Sequence, residues 1–123
     1  MTTVRTPAQI AASLDELWSP RVIAEVDEVF VKVARVHGSL GWHAHPDEDE
    51  LFLVLKGVLR LEMEREAVEL QAGDLYVVPK GVRHNPVAAD ECHVLLVERK
   101  GTRHTGDTVT ELTRSIAEQL RPI

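Results

Sequence analysis

From Val22 to Glu98 the apolar positions fall in short runs, separated by glycine and acidic turns at intervals of about ten residues. Val22–Val26 is apolar and β-branched, and Asp27-Glu28 reads as a turn. Val29–His37 is a long strand candidate, with Val29, Val31 and Val33 on one face and Phe30, Lys32, Ala34 and Val36 on the other. Phe52–Leu55 is apolar on both faces. Val58–Glu64 alternates, with Leu59, Leu61 and Met63 opposite Arg60, Glu62 and Glu64, the pattern of a half-buried strand. Ala67–Leu70, Leu75–Val78 and Cys92–Glu98 complete the set, and residues 87–91 read as a link. Six to eight short strands with glycine turns predict an all-β sandwich or barrel over residues 21–107. No helical pattern separates the central strands, which disfavours a parallel α/β sheet.

Helical spacing occurs only at the two ends. Residues 1–6 carry no pattern and read as an arm. Thr6-Pro7 is a helix start, and Ile10, Leu14 and Leu17 predict a short helix near 8–17, ended by Trp18-Ser19-Pro20. Leu112, Ile116 and Leu120 predict a second helix over Thr108–Leu120. The organisation is thus an N-terminal arm and helix (1–20), a β-barrel (21–107) and a C-terminal helix or tail (108–123).

Composition narrows the function more than the fold. A chain of 123 residues, 44% apolar, builds one domain with a core. Its 14 basic and 20 acidic residues give a net charge of −6, which argues against nucleic acid and an anionic membrane as partners and leaves a small molecule. Cys92 is the sole cysteine, so no intrachain disulfide forms and a reducing compartment is the simpler expectation. No basic-then-apolar leader opens the chain, and Leu51–Leu55 is the longest apolar run, so a cytoplasmic protein without a membrane span is expected.

The chemistry concentrates in Gly41–Gly57. His43 and His45 stand one residue apart, a spacing that puts both imidazoles on one face of a strand. Beyond Pro46 and an acidic turn, Glu50 opens the apolar run. Two imidazoles and a carboxylate aimed into one space are a ligand set for a divalent metal, the alternative being a polar surface hairpin. Glu48 competes with Glu50 for the carboxylate role. The stretch Gly73-x5-Pro79-x-Gly81-x2-His84 supplies a third histidine between glycine and proline turns. Phe52 and Val54 share the parity of Glu50 and are expected in the pocket wall. Trp42 has the opposite parity to His43 and is expected to pack away from the site. His37, His93 and His104 are expected to be structural or solvent-facing, Cys92 a small core residue, and Arg35 and Arg83 surface residues. His37 and Tyr76 are the weak candidates for a general base.

Together, Gly41…His43-x-His45-x4-Glu50-x6-Gly57 and Gly73-Asp74-x4-Pro79-x-Gly81-x2-His84 resemble the two motifs of the cupin superfamily, over roughly residues 21–100. The resemblance implies an antiparallel jelly-roll barrel. It implies that His43, His45, Glu50 and His84 ligate one divalent transition metal (Fe, Mn, Zn, Ni or Cu). Two positions depart from the family pattern: His37 stands where the first motif usually begins with glycine, and Ala88 where the second often ends with asparagine. The segments around Trp42–Gly57 and Gly73–Pro79 look like a group of single-domain bacterial cupins often labelled mannose-6-phosphate isomerase-like, although a phosphomannose isomerase is much larger. The resemblance implies a metal-dependent enzyme on a small molecule, of dioxygenase, isomerase or related type. The alternative is a non-catalytic cupin that binds or senses a small ligand. The two-sided apolar character of 22–36 and 51–55 points to a homodimer.

Overall fold

The computed structural model describes residues 3–123, so the first two residues of the expected arm lie outside the described residues. The elements are α1 (Pro7–Ser13), β1 (Arg21–Val26), β2 (Val29–Ser39), β3 (Glu50–Lys56), β4 (Val58–Met63), β5 (Ala67–Gln71), β6 (Leu75–Val78), β7 (His84–Arg99) and α2 (Ile116–Gln119). All strand pairs are antiparallel, in the order β1-β2-β7-β3-β6, with β4 joining β5 to β7. This is the expected all-β barrel with short terminal helices.

The long strand β7 organises the barrel. Its second half pairs with β3 and its first half with β4, so the β3–β4 hairpin folds across it at Gly57. Gly57 has φ +86, and a Cβ there would lie 2.9 Å from the Glu91 carbonyl oxygen, which explains a glycine at this crossing. Residues 87–91 are not the expected link. Val87 and Ala88 pair with Ser39 and Gly38, pairing resumes at Cys92, and the exposed Ala89, Asp90 and Glu91 form a bulge within one strand.

Two apolar layers result. The barrel interior holds Ala34, Val36, Phe52, Val54, Leu59, Leu61, Val94 and Leu96 together with Trp18. A second cluster lies on the outer face of the sheet, where Ala11 of α1 and Leu14 just after it pack with Ile23 and Val33. These layers explain why α1 stops at Ser13 rather than at Leu17. Leu14 must pack outside and Trp18 inside, which no continuous helix can do. The chain instead extends at Leu14, whose carbonyl accepts from Arg35 Nη1, and Leu17 bridges Arg35. The C-terminal helix is likewise shorter than the periodicity predicts. Over 108–115 threonine side chains capture local partners, with Thr113 Oγ1 bonded to Thr105 Oγ1 and to the Thr110 N–H, which competes with helix formation. Only the turn from Ile116 remains, held by a capping box between Ser115 and Glu118.

Candidate metal centre

The histidine pair does not lie in a strand, as its spacing suggests, but in the extended connection between β2 and β3. Backbone bonds on both sides hold this connection straight. The His43 N–H donates to the His84 carbonyl at 3.0 Å and the His84 N–H to the His43 carbonyl at 2.8 Å. The Gly81 N–H donates to the His45 carbonyl. On the other side, the Ala44 N–H donates to Asp107 Oδ1 at 3.0 Å and the Asp107 N–H returns to the Ala44 carbonyl at 2.9 Å. Residues 43 and 45 therefore keep the parity that strand geometry would have given them.

His43, His45, Glu50 and His84 are all buried, and one ligand-type atom from each lies within 4.8 Å of all the others. Glu50 rather than Glu48 takes the carboxylate place. Backbone carbonyls set two of the tautomers. His43 Nδ1 lies 2.9 Å from the Gly41 carbonyl oxygen and His84 Nδ1 lies 2.9 Å from that of Val82. A carbonyl only accepts, so both Nδ1 atoms carry the proton and both Nε2 lone pairs are free, the arrangement typical of metal-ligating histidine. Among the described residues, His43 Nε2 and His45 Nε2 are buried without a hydrogen-bond partner. Glu50 Oε1 lies 3.2 Å from His45 Nε2 and 3.3 Å from His84 Nε2. Unpartnered imidazole nitrogens around a buried carboxylate oxygen are costly unless a cation joins them, so this donor set fits a divalent metal.

Electrostatics distinguish the histidines. Burial, reinforced by the neighbouring His84, pushes the His43 pKa down to about 4. Burial also acts downward on His45, but the Glu50 carboxylate 3.2 Å away outweighs it and leaves that pKa raised. Glu50 is driven up by burial and down by the adjacent His45 and His84, which hold it well below the usual carboxylate range.

Beside His43 and Glu50 lies a cavity of about 30 Å³, lined also by His104 and by apolar groups such as Trp18, Val36, Leu40, Phe52 and Leu96. A water fills about 10–15 Å³ by this measure, so it admits roughly two. Phe52 and Val54 are buried on the Glu50 face, and the Phe52 ring meets His84 edge-on at 6.2 Å. Trp42 is 40% exposed. Neither weak candidate for a base reaches the site: His37 is exposed, and the Tyr76 hydroxyl turns to Met63 Sδ. Arg83 is exposed near Glu64, and Arg35 pairs with Glu91 at 2.6 Å. Cys92 is fully buried, which raises its thiol pKa to about 11. His93 is buried with Nε2 held 2.9 Å from Glu91.

Sequence reasoning missed the second layer. The loop after β7 buries Thr102, His104 and Thr105, and His104 reaches the cavity wall. A Cβ on Gly106 would meet the Ala44 carbonyl oxygen at 2.2 Å and His43 Cδ2 at 2.9 Å, so glycine lets this loop lie flat against the histidine pair. Within the barrel Lys32 Nζ lies 3.0 Å from Glu98 Oε1, with both side chains wholly buried and, among the described residues, neither otherwise partnered. Burial, and then the charge of Glu50, lift the Glu98 pKa to about 8.

Residues 30–98 match the family model described as the cupin domain. The chain is 35% identical over 101 residues to an uncharacterized Bacillus subtilis protein, YdbB, covering 81% of this chain and 89% of that one. Among solved structures it resembles a cupin-2 domain containing protein from Shewanella frigidimarina, with TM-score 0.76, 39% identity, and coverage of 79% of this chain and 95% of that one. Protein NMB1881 from Neisseria meningitidis shares the fold at TM-score 0.73 and 23% identity, over 80% of this chain and all of that one.

Proposed function

This chain belongs to the cupin domain family, and on that premise we propose that it is a divalent-metal-binding cupin that works as a metal-dependent enzyme on a small molecule. One observation carries the reading: the buried, unpartnered Nε2 atoms of His43 and His45 beside the Glu50 carboxylate. His43, His45, Glu50 and His84 would hold the cation, which, when bound, would polarise a substrate oxygen or lower the pKa of a coordinated water. The protein's own groups set the conditions. The Gly41 and Val82 carbonyls orient two imidazoles, and Trp18, Leu40 and Phe52 give the cavity an apolar wall.

A non-catalytic role, holding a small ligand, is the second reading. It is favoured by a cavity of only about 30 Å³, smaller than most substrates need. Elemental analysis of protein purified without chelators tests the metal, with one equivalent per chain expected. Iron would favour oxygen chemistry, and zinc or manganese isomerase, hydrolase or binding roles. His84→Ala should lose the metal and the exposed His37→Ala should keep it. Equal retention in both variants would overturn the ligand assignment.

The protein is a homodimer in this reading. Val26, Leu75 and Val77 are 60%, 59% and 43% exposed, and α1 covers only another part of the outer sheet face. A monomer by light scattering at micromolar concentration would refute this. A cytoplasmic location fits the one free, buried cysteine. Among the described residues no helix is long and apolar enough to cross a membrane.

A further inference from the structure

We propose that His104 is a non-coordinating hydrogen-bond donor in the cavity, through Nδ1–H, and that it selects small ligands carrying an acceptor atom, such as hydroxide, a carboxylate or a carbonyl oxygen. The inference rests on the metal-binding reading above and adds to it a residue outside the ligand set. Its first support is position. His104 is 4% exposed and lines the cavity together with His43 and Glu50, the other two titratable groups in that wall. The rest of the lining is apolar side chains and prolines, so a polar ligand there finds no other free donor.

The tautomer is its second support. The Arg114 backbone N–H donates to His104 Nε2 at 2.8 Å. That nitrogen is therefore an acceptor, and in the neutral ring the proton sits on Nδ1. Among the described residues no group accepts from Nδ1. Burial, with Lys32 the next influence, holds the pKa down to about 4, so the ring is neutral at pH 7 and the tautomer is fixed. His104 also stands outside the four-residue ligand cluster, and its only lone pair is already taken. Its lining position leaves Nδ1–H as the one donor it can offer, and it cannot ligate without breaking the Arg114 contact.

Two amide substitutions separate donation from support. In His104→Gln the side-chain oxygen can replace Nε2 as acceptor for the Arg114 N–H, but the Nδ1 donor is gone. In His104→Asn the side-chain amide can stand where Nδ1 stood, but the Arg114 contact is gone. Each protein is loaded with Co(II) after chelator treatment, metal content is measured, and azide is titrated while the visible absorption is followed. All three proteins should hold one Co(II) per chain. The azide Kd should rise about tenfold or more in His104→Gln, the size of one hydrogen bond to a charged ligand. In His104→Asn it should stay within about threefold of wild type, within the usual context dependence of a single hydrogen bond. An unchanged Kd in His104→Gln, or loss of Co(II) from that variant, would overturn the assignment. If wild type takes up no Co(II), the metal-binding reading itself fails, and the assignment with it.

Discussion

The buried pair of Lys32 and Glu98 makes an asymmetric prediction. Both side chains have lost their water, and their nitrogen and oxygen are 3.0 Å apart. Leaving one partner of such a pair buried alone typically costs about 3–5 kcal/mol, whereas replacing both with neutral groups of similar size is often close to neutral. Here the two ends differ. Glu98 has a pKa of about 8, raised from 4.5 chiefly by burial and then by Glu50, so it can shed its charge by keeping a proton. At pH 6 the folded protein already holds Glu98 protonated, so Glu98→Gln exchanges one neutral group for another and should cost no more than about 1 kcal/mol, a fall in Tm of at most about 4 °C for a domain of this size. Lys32→Met should cost about 1–2 kcal/mol at pH 6, because Glu98 simply stays protonated. A carboxyl whose folded pKa is raised binds its proton more tightly in the folded state. Its contribution to stability is full below about 4.5 and is lost as the pH rises through about 8. The Lys32→Met penalty should accordingly grow between pH 6 and pH 9, and Lys32→Met/Glu98→Gln should recover most of the loss. The assay is thermal unfolding of chelator-treated protein across that pH range, with all four members of the cycle. A Glu98→Gln variant less stable than Lys32→Met at pH 6, or a Lys32→Met penalty that does not grow towards pH 9, would refute the reasoning.

Two further predictions concern the cup. His45 has a raised pKa while that of His43 sits near 4, so in the pH range just below the His45 pKa, metal uptake should displace one proton, mainly from His45. Calorimetric titrations of Zn(II) in buffers of different ionisation enthalpy should show about one proton released at pH 6, with affinity rising as pH increases until His45 is neutral; zero release at pH 6 would contradict this. Gly106→Ala combines a φ of +61 with a Cβ 2.2 Å from the Ala44 carbonyl oxygen, and should lower stability by about 2–3 kcal/mol and weaken metal binding by moving His43. Gly101→Ala, with a φ of +84 but nothing within 4 Å, is the control and should cost about 1 kcal/mol without affecting the metal; equal effects of the two would remove the argument from close approach.

The difference between what the chain's pattern shows and what it conceals follows from how each group is placed. His43, His45 and Glu50 sit on one continuous stretch, where side-chain parity alone relates them, and His84 is fixed by local glycine and proline turns. Such groups are legible because local backbone geometry decides their direction. Parity survived even where the strand assignment did not, since hydrogen bonds to His84 and Asp107 keep residues 43–45 extended outside any sheet. His104 had no such signal. Its loop has no periodicity, and its direction depends on an Arg114 N–H ten residues later and on a glycine whose use becomes visible only when Ala44 lies against it. The terminal helix failed for a related reason, since i, i+4 spacing says nothing of threonine hydroxyls that take the backbone donors first. Lys32 and Glu98 lie between these cases. Lys32 shares a face with Phe30, Ala34 and Val36, and Glu98 shares one with Cys92, Val94 and Leu96, so each is a charge on an otherwise apolar face. Opposite charges on the inward faces of two strands can escape burial only by pairing, and β2 does lie beside β7. That inference was available from the pattern once the strand order was known. Strand order is a long-range property, and here it is set by β7, the element whose bulged centre the sequence reads as a break.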